Sequence, residues 1–303
     1  MNKNNSNFSL FDLLNNQPQM FRGVVWMLLA TFAAACQNSL VKFVSDDLPV
    51  VEMLLVRSLI SLSIFLPVVI KTGFEPVKTN RLGFHCFRGG VHSLAQLLFF
   101  YALAVTPLAT VAALNFTGPL FSTLMAALFL GEVIRARRIT AMAIGFAGAM
   151  VILRPGFIEM DLGAVATIVS AFFWGGSLVC MKVLSRTESS LTITLYGLFF
   201  SILVSLVLSI PVWITPTLEQ MGWLLAIGVF NALSQITRTQ AIKEADISII
   251  MPLDFTRLIW VSIFGYLLFG EVPDGWIWFG GILIFASATY IAYRQRQVKQ
   301  TQE

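Results

Sequence analysis

One stretch of this chain is written twice. Leu108-Ala109-Thr110-Val111-Ala112-Ala113-Leu114-Asn115-Phe116-Thr117 returns 139 residues later as Ile247-Ser248-Ile249-Ile250-Met251-Pro252-Leu253-Asp254-Phe255-Thr256. Each copy runs on through an apolar segment to Gly-Glu-Val, at Gly131-Glu132-Val133 and at Gly270-Glu271-Val272. A duplication on this scale confines the fold to two homologous halves, and the seam between such halves is where a binding site is built.

The solvent of those halves follows from composition. Hydrophobic residues make up 57% of the chain and charged residues 12%, about half the roughly 25% typical of soluble domains. Mean hydropathy is +0.79. Such a chain lacks the polar residues to cover itself and is expected in a lipid bilayer. Its apolar runs approach the ~20 residues a spanning helix needs, and they do not alternate with period two, so helices are expected rather than a barrel. Cys36, Cys86 and Cys180 are scattered within apolar segments, and His85 and His92 are the only histidines. Neither set has metal-ligand or disulfide spacing, so no metal and no cofactor are expected. Nucleic acid is not an expected partner.

Ten spans are predicted, at 23–44, 49–70, 84–105, 108–130, 139–154, 162–184, 190–211, 220–241, 246–269 and 275–293. Lys71, Lys78 and Arg81 follow the second span, Arg135, Arg137 and Arg138 the fourth, and Arg294, Arg296 and Lys299 the tenth. The alternate loops carry Asp46, Asp47, Glu219 and Asp274 instead. The positive-inside rule then puts both termini in the cytoplasm. At a shift of 140, Gly23 falls on Gly163 and Lys42 on Lys182. Each half therefore holds five spans. Because five is odd, the second half enters the membrane from the opposite side, as an inverted repeat. The expected fold is an all-α polytopic membrane protein. It has a tail over 1–20, five-helix repeats over 21–155 and 160–293, and a second tail over 294–303.

Two five-helix halves that each close the fourth helix with Gly-Glu resemble the EamA family of the drug/metabolite transporter superfamily. The run from Pro252-Leu253-Asp254-Phe255-Thr256-Arg257-Leu258 to Gly270-Glu271-Val272-Pro273-Asp274 carries the resemblance, as does Arg57 in the second span. It covers residues 20–295 and lies nearest the branch of S-adenosylmethionine and riboflavin transporters. The resemblance implies a secondary transporter in a bacterial inner membrane, moving a small metabolite by alternating access, as a monomer or homodimer. The alternatives within the fold are uptake of a vitamin such as riboflavin and efflux of amino acids or drugs. A membrane enzyme acting on lipid-linked substrates is the rival of another class. No HExxH, GxSxG or Walker sequence supports it.

Ionisable groups within a bilayer cost about 2.5–3.5 kcal/mol each on the insertion scale and mark sites. Asp254 and Arg257 are spaced i, i+3 in the ninth span and can pair, hold a substrate or pass a proton. Their counterparts in the first copy are the uncharged Asn115 and Gly118. Asn231, Gln235 and Arg238 form a stripe on the eighth span, matched by His92, Gln96 and Phe99 on the third. Arg57 lies in the second span opposite Gly197 in the repeat. Asn38 and Trp174 complete the candidate substrate-binding set, Trp174 with ordinary packing as its rival role. Glu271 ends a helix, where a carboxylate opposes the dipole and needs a compensating partner. Arg57, Arg238 and Arg257 outnumber Asp254, so the expected substrate carries a carboxylate or phosphate. Asp254 is the expected site of proton coupling.

Overall fold

The computed structural model describes residues 19–72, 78–131, 136–154, 161–244 and 251–300. Among them all regular structure is helical. The helices are α1 (Gln19–Val44), α2 (Val50–Thr72), α3 (Leu82–Val105), α4 (Leu108–Asn115), α5 (Gly118–Leu130), α6 (Ala136–Leu153), α7 (Leu162–Leu184), α8 (Ser190–Ser209), α9 (Leu218–Glu244), α10 (Thr256–Phe269) and α11 (Gly275–Gln300). Short 3-10 turns cover Ile210–Val212 and Met251–Phe255. Most of the expected N-terminal tail, Glu132 and the start of the expected ninth span at 246–250 lie outside the described residues. The helix expected to end at 293 continues to Gln300.

Among the described residues, five helical stretches are long and apolar enough to cross a membrane: Met20–Val44, Val50–Pro67, Leu108–Leu130, Leu162–Leu184 and Leu191–Val212. Ile139–Leu153 and Gly275–Ile291 are shorter apolar helices. The helices α3 and α9, although 24 and 27 residues long, fall outside that apolar set. They are the two that carry the polar stripes, and they bury one face each against a partner: α3 lies along α7, and α9 along α1.

Two expected single spans are broken. The first copy is α4, then a turn at Phe116-Thr117, then α5. Pro119 has no N–H to donate to the Asn115 carbonyl, so the α-helical ladder cannot continue through this point. The Thr117 hydroxyl instead donates to Leu114 O at 2.7 Å. In the second copy the 3-10 turn Met251–Phe255 gives way to α10, and Thr256 Oγ1 donates to Leu253 O at 2.6 Å. Leu114 and Leu253, like Thr117 and Thr256, are repeat equivalents. Both copies also end alike, with Gly131 at φ +66° and Gly270 at φ +68°. This left-handed cap suits glycine.

Helices α6 and α11 approach through bare backbone. A Cβ on Gly148 would lie 2.7 Å from Gly280 O, and one on Gly280 would lie 2.6 Å from Gly148 O. In lipid, such small-residue seams replace the hydrophobic effect as the source of helix association. Gly280→Val is therefore expected to destabilise the detergent-solubilised protein by about 1–3 kcal/mol. Gly275→Ala, where nothing lies within 4 Å of the new carbon, is expected to leave thermal unfolding unchanged.

Candidate functional site

The two helix breaks meet. Phe116 follows α4 and Phe255 closes the 3-10 turn, and their ring centroids lie 5.9 Å apart. Phe285 of α11 packs on both, at 5.8 Å from Phe116 and 4.8 Å from Phe255. Thr31 of α1 and Thr256 share a hydrogen bond of 2.8 Å between hydroxyls, which fixes the break against α1.

Charge gathers on one side of this junction. Arg238 Nη2 on α9 donates to Asp254 Oδ1 at 2.9 Å. Of the roles that the i, i+3 spacing leaves open for Asp254 and Arg257, a mutual ion pair within 4 Å is not formed among the described residues. Asp254 belongs to the 3-10 turn and Arg257 to the first turn of α10. Arg257 stays within electrostatic range of Asp254 and Arg238. Its guanidinium lies over the Phe116 ring, 5.1 Å from the centroid, and its Nε is buried without a hydrogen-bond partner. The repeat shows why only one copy holds an arginine here. At Gly118, the counterpart of Arg257, the Trp174 ring fills the space, and a Cβ would come 2.9 Å from Trp174 Cε3. Trp174 packs on Gly118 with 37% of the residue exposed. Asn115 is half-buried at the end of α4.

A second polar group lies between α2, α3 and α9. Arg57 Nη1 reaches Asn231 Oδ1 at 3.4 Å, and Asn231 Nδ2 donates to Ser61 Oγ at 3.1 Å. The Arg57 guanidinium sits over Phe100, 5.1 Å from the ring centroid. His92 Nε2 and Gln96 Nε2 face each other at 3.0 Å. Two of the three stripe residues on α9 therefore reach other helices, Asn231 to Arg57 and Arg238 to Asp254. Gln235 between them is exposed and stays outside both groups. Asn38 is buried on α1, two turns along the helix from Thr31.

At one end of the bundle Glu271 meets the partner that its place after a helix C-terminus demands. Lys42 Nζ lies 2.5 Å from Glu271 Oε1 and also donates to Thr106 O at 2.8 Å. The Leu108 N–H, free at the start of α4, donates to Glu271 Oε2 at 2.8 Å. Glu271 is thus compensated by a cation and by the positive end of another helix. Lys42 is thus a structural ion, tied to Glu271 and to the Thr106 carbonyl. Nearby, Asp161 caps α7 by accepting from Gly163 N at 2.9 Å and takes the Thr106 hydroxyl at 3.0 Å. At the other end Arg22 Nε donates to Glu244 Oε2 at 2.8 Å and Gln240 Nε2 to Oε1 at 2.5 Å. Burial pushes the Glu244 carboxyl up, but these bonds, the Arg22 charge and the Trp26 side chain together hold it below the usual range.

A family model described as the EamA-like transporter family matches the chain twice, over residues 21–154 and 161–293. The chain belongs to that family. It is a multi-pass membrane transporter of small molecules and not an enzyme. It is 34% identical to a riboflavin transporter of Vibrio cholerae, over 89% of this chain and 92% of that one. It is 32% identical to a pseudopaline exporter of Pseudomonas aeruginosa, over 86% and 93%. It is 26% identical to an S-adenosylmethionine uptake transporter of Rickettsia bellii, over 91% and 94%. A crystal structure shares the fold at TM-score 0.60 and 16% identity, over 92% of this chain and 98% of that one.

Sequence reasoning missed Phe116, Phe255 and Phe285 as the floor of the junction and Lys42–Glu271 as a pair. The first had a visible signal, since Phe-Thr is identical in both copies. The second had none, because 229 positions separate the partners. Removing one partner of a buried ion pair strands the other, at a cost of about 3–5 kcal/mol. Lys42→Met is expected to lower thermal stability markedly, and Lys42→Met with Glu271→Leu to recover part of the loss in a double-mutant cycle. The depressed Glu244 carboxyl contributes stability above its unfolded value, and that contribution is lost as pH falls through the folded value. Acid unfolding of Glu244→Gln is therefore expected to show a weaker pH dependence in this range than the wild type.

Proposed function

We propose that this transporter carries a small anionic or zwitterionic metabolite, amino-acid- or nucleotide-derived, across a bacterial inner membrane. Alternating access would operate between two inverted five-span halves, residues 21–155 and 160–293, with both termini in the cytoplasm. The observation that carries the reading is the doubled helix break with charge in only one copy. Broken helices in corresponding positions of two halves expose backbone groups where a ligand can meet them. Here the breaks touch through Phe116 and Phe255, and Asp254, Arg238 and Arg257 converge beside them.

The packing supports an inverted repeat. The partner of α1 is α9, and the partner of α3 is α7. Under the repeat α1 exchanges with α7 and α3 with α9, so the two pairs map onto each other. The pairs α5–α7 and α10–α1 do the same. Arginines support an anionic group: Arg238 is neutralised by Asp254, while Arg257 and Arg57 have no carboxylate within ion-pair distance among the described residues. The aromatic floor supports a planar or apolar second part. Relatives named for riboflavin and S-adenosylmethionine carry molecules of that kind, and S-adenosylmethionine, a zwitterion with an aromatic base, fits the site's chemistry. A vitamin such as riboflavin is the second reading, favoured by the 34% identity to a riboflavin transporter.

Asp254 is the proposed proton-linked element, because protonating it would release Arg238. In vesicles reconstituted with purified protein, uptake of labelled S-adenosylmethionine and of labelled riboflavin is measured in parallel. Arg257→Gln and Asp254→Asn are each expected to reduce transport at least about tenfold, the equivalent of losing one charge-assisted contact of about 1.5–3 kcal/mol. Asp254→Asn is also expected to flatten the pH dependence of what remains. Wild-type rates in both variants, at equal membrane insertion, would refute the site; an unchanged pH profile would refute the proton role alone.

A further inference from the structure

Arg57 is 8% exposed, and its charge is unmet. Its Nη1 makes one long contact, 3.4 Å, to a neutral amide. Its Nε is buried without a partner. Two more buried atoms nearby are in the same condition, His92 Nδ1 and Gln96 Oε1. His92, Gln96 and Phe100 stand on successive turns of one face of α3. The Arg57 guanidinium lies on Phe100, and His92 is within its electrostatic range. Two orphaned polar atoms of α3 thus lie near a cation whose own Nε is also unpaired.

Packing alone does not require this. Gly197, the repeat counterpart of Arg57, faces the Arg88 guanidinium, and a Cβ there would lie 3.1 Å from Arg88 Nη1. Arg88 Nη1 donates to the Ile193 carbonyl at 2.9 Å. Arg88 on α3 therefore shows how a buried arginine is tied to backbone across the α3–α8 contact, and Arg57 has no such bond among the described residues. A buried ion without a counter-charge costs several kcal/mol. A group held in that state suits a ligand that brings the missing charge.

We infer that Arg57 anchors a carboxylate or phosphate of the transported molecule, with His92 and Gln96 completing the subsite. This rests on the transport reading only for the identity of the anion's carrier; the anion site stands on its own geometry. The guanidinium fork matches a carboxylate or phosphate with two parallel hydrogen bonds. The Gln96 amide can rotate so that it accepts from His92 Nε2 and places its NH2 where Oε1 now lies, supplying a further donor. The subsite lies on α2 and α3, apart from the Asp254 group on α9 and α10. A substrate bridging the two would have its anionic end at Arg57 and its remaining part toward the Phe116–Phe255 floor.

The test uses purified full-length protein in a neutral detergent, with no transport step. Thermal unfolding is recorded in inorganic phosphate or acetate and in sodium chloride at equal ionic strength. The wild type is expected to gain about 2–4 °C in either anion relative to chloride. Arg57→Gln is expected to melt at or above the wild type in chloride, since it removes an unpaired buried charge, and to lose the anion-specific gain. Arg57→Lys keeps the charge without the fork and is expected to retain less than half of the gain. Arg154→Gln, at a distant ion pair with Asp274, is expected to keep it in full. No specific gain in the wild type, or an equal gain in both Arg57 variants, would overturn the inference. An intact gain alongside normal transport by the Asp254 and Arg257 variants would instead sink the Asp254 site and leave this one standing.

Discussion

Inside hydrocarbon no water is available to satisfy a stray N–H, carbonyl or charge. Among the described residues, several departures from continuous helix are therefore matched by a local substitute. Where the helix breaks at Phe116-Thr117, the Thr117 hydroxyl takes the Leu114 carbonyl, and Thr256 repeats the device on Leu253. Where α4 begins, its free Leu108 N–H is met by Glu271 from the far half. Where α7 begins, Asp161 accepts from Gly163 N. These bonds tie the breaks and helix ends to fixed places, and the fixed places define the interior.

Against that background the unmatched groups stand out. Lys42, Arg238 and Arg154 each have a carboxylate, and Arg88 has a carbonyl. Arg57 and Arg257 lie on aromatic faces instead, over Phe100 and Phe116. A cation–π contact returns only about 0.5–2 kcal/mol, less than the cost of holding the charge unpaired. Arg57 on α2 faces α3 and α9, and Arg257 on α10 faces the Phe116 break.

The duplication explains how asymmetry arises on a symmetric scaffold. Asn115 and Gly118 occupy the places of Asp254 and Arg257. The space an arginine would need at Gly118 is taken by Trp174. At the junction the charged side chains Asp254, Arg238 and Arg257 all come from the second half, beside aromatic rings from both halves.

The all-helical fold, the lipid setting, the family and the doubled segment were legible in the chain, because composition, apolar run length and identical motifs are local properties. Asp254, Arg257, Arg57 and Arg238 were legible as candidates for the same reason: a charge within an apolar run is conspicuous wherever it ends up. Their partners were not. Asp254 pairs with Arg238 from α9 while Arg257 lies over Phe116, and both neighbours come from other segments of the chain. Lys42 with Glu271, Thr31 with Thr256 and Asn231 with Arg57 each join positions more than 170 residues apart. Gln235 and Asn231 share a stripe on paper, yet only Asn231 meets a neighbouring helix. The sequence determined which groups are expensive to bury. Only the tertiary packing decided which of them are compensated, because compensation depends on what another helix brings within about 3 Å.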